Sequence, residues 1–131
     1  DVDYPIWPKV AIDCIKKYDG IYVHIKGPDE PAHDGDFNKK KEIIEFIDKF
    51  FFAKLLPKLD MNNTVIAVTA DHSTVCSVKA HTADPVPFLL SGGNTQPDGS
   101  LSFSEKAAKL GSLGELRGQD ILPLLVNLAK D

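Results

Sequence analysis

The chain has 131 residues, 43% hydrophobic and 26% charged, with a formal net charge of −4 at pH 7. Such a length suits one domain with a sizeable core, and the composition is that of a globular protein, neither disordered nor rich enough in long apolar runs to span a bilayer. The acidic balance gives no reason to expect nucleic acid or a membrane as a partner, whereas cations suit it.

The sequence starts at Asp1 with neither a methionine nor a signal-peptide pattern, so its beginning is expected to belong to a longer protein. Residues 8–18 carry Val10, Ala11, Cys14, Ile15 and Tyr18 at helical spacing and are followed by Gly20, which predicts a short amphipathic helix. Residues 21–25 (IYVHI) are β-branched and aromatic and predict a strand. In residues 37–56, Ile43, Ile44, Ile47, Phe50, Phe51 and Leu55 form an apolar stripe, the mark of a long helix covering a sheet face. Residues 64–70 (TVIAVTA) predict a strand buried on both faces. Strand, helix, strand implies parallel pairing. Residues 86–90 can add another strand, residues 92–100 are turn-rich, and residues 119–130 predict a closing helix that tolerates Pro123 near its start. The expected fold is one α/β unit with a mostly parallel sheet and flanking helices.

Chemistry concentrates where the predicted strands end. The stretch KGPDEPAHDGD, residues 26–36, follows the first strand, and Asp71-His72 follows the second. In open α/β sheets, ligands bind outside the carboxyl ends of strands, where loops converge on a rigid frame. Asp29 and His33 are four apart, so one helical turn or a tight loop points both side chains the same way. His81 lies in the same loop system. Carboxylate oxygen with imidazole nitrogen suits manganese, zinc, cobalt or iron, and a cation also offsets the mutual repulsion of Asp29, Glu30, Asp34 and Asp36. The plainer alternatives are a solvated acidic turn at 26–36 and a helix cap at Asp71. Shared histidines at one sheet edge favour the metal.

Other residues take plainer roles. His24 within IYVHI is expected to be structural, and Cys76 a small buried hydrophobe. Ser73 and Thr74 read as caps and the run Lys39-Lys40-Lys41 as the solvated face of the long helix. The two cysteines have no paired spacing, which argues against a disulfide framework or thiolate zinc site and suits a reducing, cytoplasmic setting.

The motifs KGPDEPAHDGD, VTADHST and KAHTADPVPFLL together resemble the cofactor-independent phosphoglycerate mutases, closest to their archaeal-type branch, in the alkaline phosphatase superfamily. The resemblance spans nearly the whole chain and departs from the family pattern at Val75, where proline is usual. It implies an incomplete alkaline phosphatase-like fold, the C-terminal part of a metal-binding phosphatase or mutase domain. By this resemblance Asp29, His33 and His81 hold one divalent ion, and Asp71 and His72 belong to a second. Manganese is the expected metal, with zinc, cobalt and magnesium as alternatives. The resemblance also implies that a phosphoserine carries phosphate between 3- and 2-phosphoglycerate, and that the serine lies in a missing N-terminal part of the protein, not in this chain. The alternatives are another superfamily enzyme, namely a phosphopentomutase, phosphatase or phosphodiesterase, or a metal-binding module without catalysis.

Overall fold

The computed structural model describes residues 5–129, and the chain falls into two compact units. Among the described residues, one comprises residues 5–59 and 74–82, the other residues 60–73 and 83–129.

The first unit opens with α1 (Trp7–Ile15), which has a proline in its first turn, where the missing N–H costs nothing. It ends before Tyr18, slightly earlier than the periodicity predicts. The short helix α2 (Asp29–Asp34) carries Asp29 and Glu30 in its first turn, where acids are favoured by the N-terminal end of the helix dipole. It is closed by a pair of bonds in which Asp36 N–H donates to the Pro31 carbonyl at 2.8 Å and Gly35 N–H to that of Ala32 at 3.1 Å. Asp36 then caps α3 (Phe37–Ile47), its carboxylate accepting from Lys39 N–H at 2.9 Å. One of the acids in the 26–36 stretch is thereby accounted for by helix capping alone.

The long predicted helix is present, but it is not uniform. After α3 the chain makes a π-helical turn (Asp48–Phe52), then α4 (Ala53–Leu55) and a 3-10 turn (Leu56–Lys58). The buried residues Ile47, Phe51 and Leu55 are spaced by four, and in a regular α-helix each step of four overshoots a full turn by about 40°. A wider π turn takes up this drift and keeps the three side chains on one side. They pack with Ala11 of α1 as the core of this unit, flanked by Trp7, Ile12, Ile25, Ile43, Phe50, Phe52 and Leu59. Ile44, placed in the apolar stripe, is instead half exposed. The unit is completed by β2 (Ser73–Val75, of which residues 74 and 75 belong here) and β3 (Ala80–Thr82), paired as a hairpin.

The second unit contains β1 (Val65–Val68) and β4 (Leu89–Gly92), with pairs running from Val65 opposite Gly92 to Val68 opposite Leu89. Gly92 has φ +91°, and a Cβ there would collide with the carbonyl oxygen of Thr64. Between β4 and α5 (Glu105–Ala108), and beyond it, Asp98 staples the turn-rich segment. Its carboxylate accepts from the backbone of Ser112 at 2.8 Å and of Ser100 at 3.0 Å, bonds that hold it well below the usual carboxylate range. The closing helix α6 (Gly118–Leu128) contacts β1 and contains Pro123, as its sequence suggests; Lys130 lies outside the described residues.

The fold is thus mixed α/β, but the parallel pairing inferred from strand, helix, strand is not what these residues form. Among the described residues there are two two-stranded sheets, the β1–β4 pair is antiparallel, and the strand predicted at 86–90 begins three residues later. Residues 21–25 join neither sheet, and Tyr22 is 83% exposed. A segment of high strand propensity cannot form a strand without a neighbour to receive its N–H and C=O groups, so composition alone does not make it one. No helix among the described residues is long and apolar enough to cross a membrane.

Candidate metal centre

Asp29, His33 and His81 converge within the first unit, one potential ligand atom from each lying within 4.8 Å of the others. Helix α2 presents Asp29 and His33 from successive turns, as their spacing requires. Strand β3 supplies His81. His33 Nε2 stands 3.1 Å from His81 Nε2 and 3.5 Å from Asp29 Oδ1, and His81 Nε2 is 3.7 Å from the same oxygen. The centre of a triangle with these sides lies about 2.0 Å from every corner, the length of a zinc bond to imidazole nitrogen or carboxylate oxygen. The two histidines are exposed and the aspartate half-buried, which leaves one side open to solvent.

The ligand atoms are oriented by neighbours that the sequence reading did not assign. His33 Nδ1 is 3.3 Å from the carbonyl oxygen of Lys79. A carbonyl can only accept, so Nδ1 is the protonated nitrogen and the Nε2 lone pair faces the centre, the arrangement usual for metal-binding histidines. Thr74, read from sequence as a cap, is buried, and its hydroxyl donates to Asp29 Oδ1 at 2.8 Å. Lys40 departs from the solvated run around it. Lys39 and Lys41 pair with Glu42 and Glu45 on the helix surface, whereas Lys40 Nζ donates to the Thr74 carbonyl at 2.7 Å.

The turn beside the site is tightly fitted. Lys79 takes a left-handed backbone conformation with φ +58°, and Gly35, at φ +78°, gives room for its side chain, since a Cβ at position 35 would come 2.5 Å from Lys79 Cε and 3.2 Å from the Cys76 carbonyl. Gly35→Ala is expected to destabilise the protein by about 1–2 kcal/mol, chiefly from forcing an alanine into the left-handed region, and thermal unfolding would measure it.

The remaining predicted ligands, Asp71 and His72, belong to the second unit. They engage each other, the His72 N–H donating to Asp71 Oδ1 at 3.1 Å and His72 Nε2 lying 3.5 Å from Asp71 Oδ2. His24 is exposed and makes an edge contact with the Tyr22 ring, with centroids 6.2 Å apart.

The comparisons with known proteins bear out the family resemblance read from the motifs. The chain is 41% identical over 120 residues to the 2,3-bisphosphoglycerate-independent phosphoglycerate mutase of Pyrococcus abyssi, covering 92% of this chain and 29% of that protein. It is 45% identical over 118 residues to the enzyme of the same name from Pyrobaculum aerophilum, covering 89% and 28%. A solved structure described as that of the PH0037 protein from Pyrococcus horikoshii matches 97% of this chain and 38% of its own, with a TM-score of 0.94 and 38% identity. The chain therefore spans somewhat under a third of the curated relatives it matches. A donor set of one carboxylate and two imidazoles set to close on one point suits a divalent ion, as does the profile that matches residues 6–128, and by that match the chain belongs to the Metalloenzyme superfamily.

Proposed function

We propose that this chain is the C-terminal, metal-binding part of a cofactor-independent phosphoglycerate mutase, an isomerase that interconverts 3- and 2-phosphoglycerate. The observation that carries the reading is the convergence of Asp29, His33 and His81 in a chain about 40% identical to proteins of that name. Manganese is the proposed metal, and a cytoplasmic setting belongs to the same reading.

Asp29, His33 and His81 hold one ion, and Asp71 and His72 contribute to a second whose other ligands come from the part of the relatives that this chain does not span. When bound, divalent ions lower the pKa of an oxygen nucleophile and offset charge on phosphoryl oxygens. The chain's own residues fix where this happens. The Lys79 carbonyl keeps the proton of His33 on Nδ1, Thr74 holds the Asp29 carboxylate, and the open side of the cluster leaves access for a phosphorylated substrate. The acceptor serine is proposed to lie outside this chain. Phosphate is taken from one glycerate hydroxyl by that serine and returned to the other, so the substrate is isomerised without loss of phosphate.

The same reading gives residues 21–25 a role, as a strand of a mostly parallel, alkaline phosphatase-like sheet completed by the rest of the protein. The exposure of Ile21, Tyr22 and Val23 supports it, because such an apolar edge invites pairing. The isolated chain is accordingly expected to self-associate or to be poorly soluble; a monodisperse monomer in light scattering would count against this. The function itself is tested by assaying the full-length protein on 3-phosphoglycerate with an enolase-coupled readout and no added bisphosphoglycerate. Turnover that chelator abolishes and manganese restores is expected. Release of inorganic phosphate in place of 2-phosphoglycerate would instead identify a phosphatase.

A further inference from the structure

We propose that Thr74 is a positioning residue that aims the Asp29 carboxylate into the metal centre, and that hairpin β2–β3 orients ligands presented by α2 as well as contributing His81. The inference rests on the metal reading of the cluster. Asp29 sits in the first turn of a six-residue helix, where its side chain has rotamer freedom of its own. The atom bonded by the Thr74 hydroxyl is Oδ1, the same oxygen that lies 3.5 Å and 3.7 Å from the two imidazole nitrogens. A carboxylate oxygen has two lone pairs, so one can accept from Thr74 while the other faces the centre.

Thr74 is itself well fixed. It is 5% exposed, its branched side chain in a strand has few χ1 choices, and its carbonyl is held by Lys40 Nζ at 2.7 Å. At the far end of the same hairpin, the turn is closed by Val78 and Lys79 N–H groups donating to the Val75 carbonyl at 3.0 and 2.8 Å. It sets Lys79 in the left-handed region, with its carbonyl toward His33 Nδ1. Thr74 thus fixes Asp29, Lys79 fixes His33, and β3 supplies His81, all within the eight residues 74–81, far from α2 in sequence. A buried threonine that merely filled space would not need its hydroxyl on the one carboxylate oxygen shared by the cluster.

The test is manganese affinity, by titration calorimetry and by the paramagnetic resonance of free manganese, in the full-length protein. Thr74→Val removes the hydroxyl and keeps the shape, and is expected to weaken binding about 10–100-fold, the range for losing a group that orients a ligand. Thr74→Ser keeps the hydroxyl and should bind within a few-fold of the parent. Should the valine variant fail to fold, Thr74→Ala makes the same removal. Equal weakening by Ser and by Val or Ala would overturn the proposal, since packing would then be the cause. Parent-like affinity in Thr74→Val, with binding lost in Asp29→Ala, would overturn it too while leaving the metal site standing. Parent-like affinity in Asp29→Ala would remove the metal reading itself.

Discussion

Replacing His81 by alanine is expected to weaken divalent metal binding well over tenfold and to reduce mutase turnover of the full-length protein to background. The expectation follows from where the three donors sit. Asp29 and His33 share one short helix, while His81 comes from a strand nearly fifty residues later, and only His81 approaches the pair from another direction. Two ligands on adjacent helical turns cannot surround an ion. Losing a residue that bonds the metal should cost more than the roughly 10–100-fold typical of losing a group that orients a ligand. His24→Ala is the matched control, since that imidazole is exposed against Tyr22 and outside the cluster. Calorimetric titration with manganese checks both variants. Affinity in His81→Ala equal to that of the control would remove His81 from the site.

The parts of this site that were legible in the sequence are those set by short-range geometry or by a specific motif. Asp29 and His33 are four apart, and any helical turn makes them neighbours. His81 is joined to them by its place in the same loop system and by the order of motifs, because no spacing rule connects position 33 to position 81. The role of Thr74 is not legible in the sequence for a related reason. A hydroxyl after a strand reads as a local cap, and its actual partner, Asp29, is forty-five residues away. Lys40 is indistinguishable from its neighbours in the basic run by sequence, whereas in the structure its ammonium donates to the Thr74 carbonyl.

The same division runs through the fold. The helical character of α1, α3 and α6 is legible in the sequence, and even the drift from 3.6-residue spacing is present there as Ile47, Phe51 and Leu55, although the spacing does not by itself specify the π turn that absorbs it. Strand pairing is the less legible part. Residues 21–25 and 65–68 both have strand composition, but composition does not name a partner, and the partner of 65–68 is the later segment 89–92 in antiparallel register. The parallel inference assumed that the helix between two strand-like segments was a crossover within one sheet. In the structure that helix packs on α1, in the unit that also holds residues 21–25, while β1 belongs to the other unit.

Isolated as its 131 residues, the chain is expected to bind close to one divalent ion tightly and to show no mutase turnover, whereas the full-length protein binds two and interconverts the phosphoglycerates. The count comes from matching donors to roles. On the proposed reading Asp29, His33 and His81 are three protein ligands, and their candidate donor atoms lie within 4.8 Å of one another, enough to retain an ion and leave positions for substrate. Asp71 and His72 are only two, adjacent in sequence, with His72 Nε2 3.5 Å from Asp71 Oδ2. A second ion held by two such donors dissociates readily. On the proposed reading, the acceptor serine and the missing ligands lie in the portion of the relatives that this chain does not span, and covalent transfer has no acceptor without them. Calorimetry and the enolase-coupled assay on both proteins, with circular dichroism to confirm that the short chain is folded, separate the outcomes. Two tight sites in the isolated chain would show that Asp71 and His72 find further donors within it. Turnover by the isolated chain above that of its His72→Ala variant would place a nucleophile inside these residues, and Ser73, next to His72 at the start of β2, would be the first to replace.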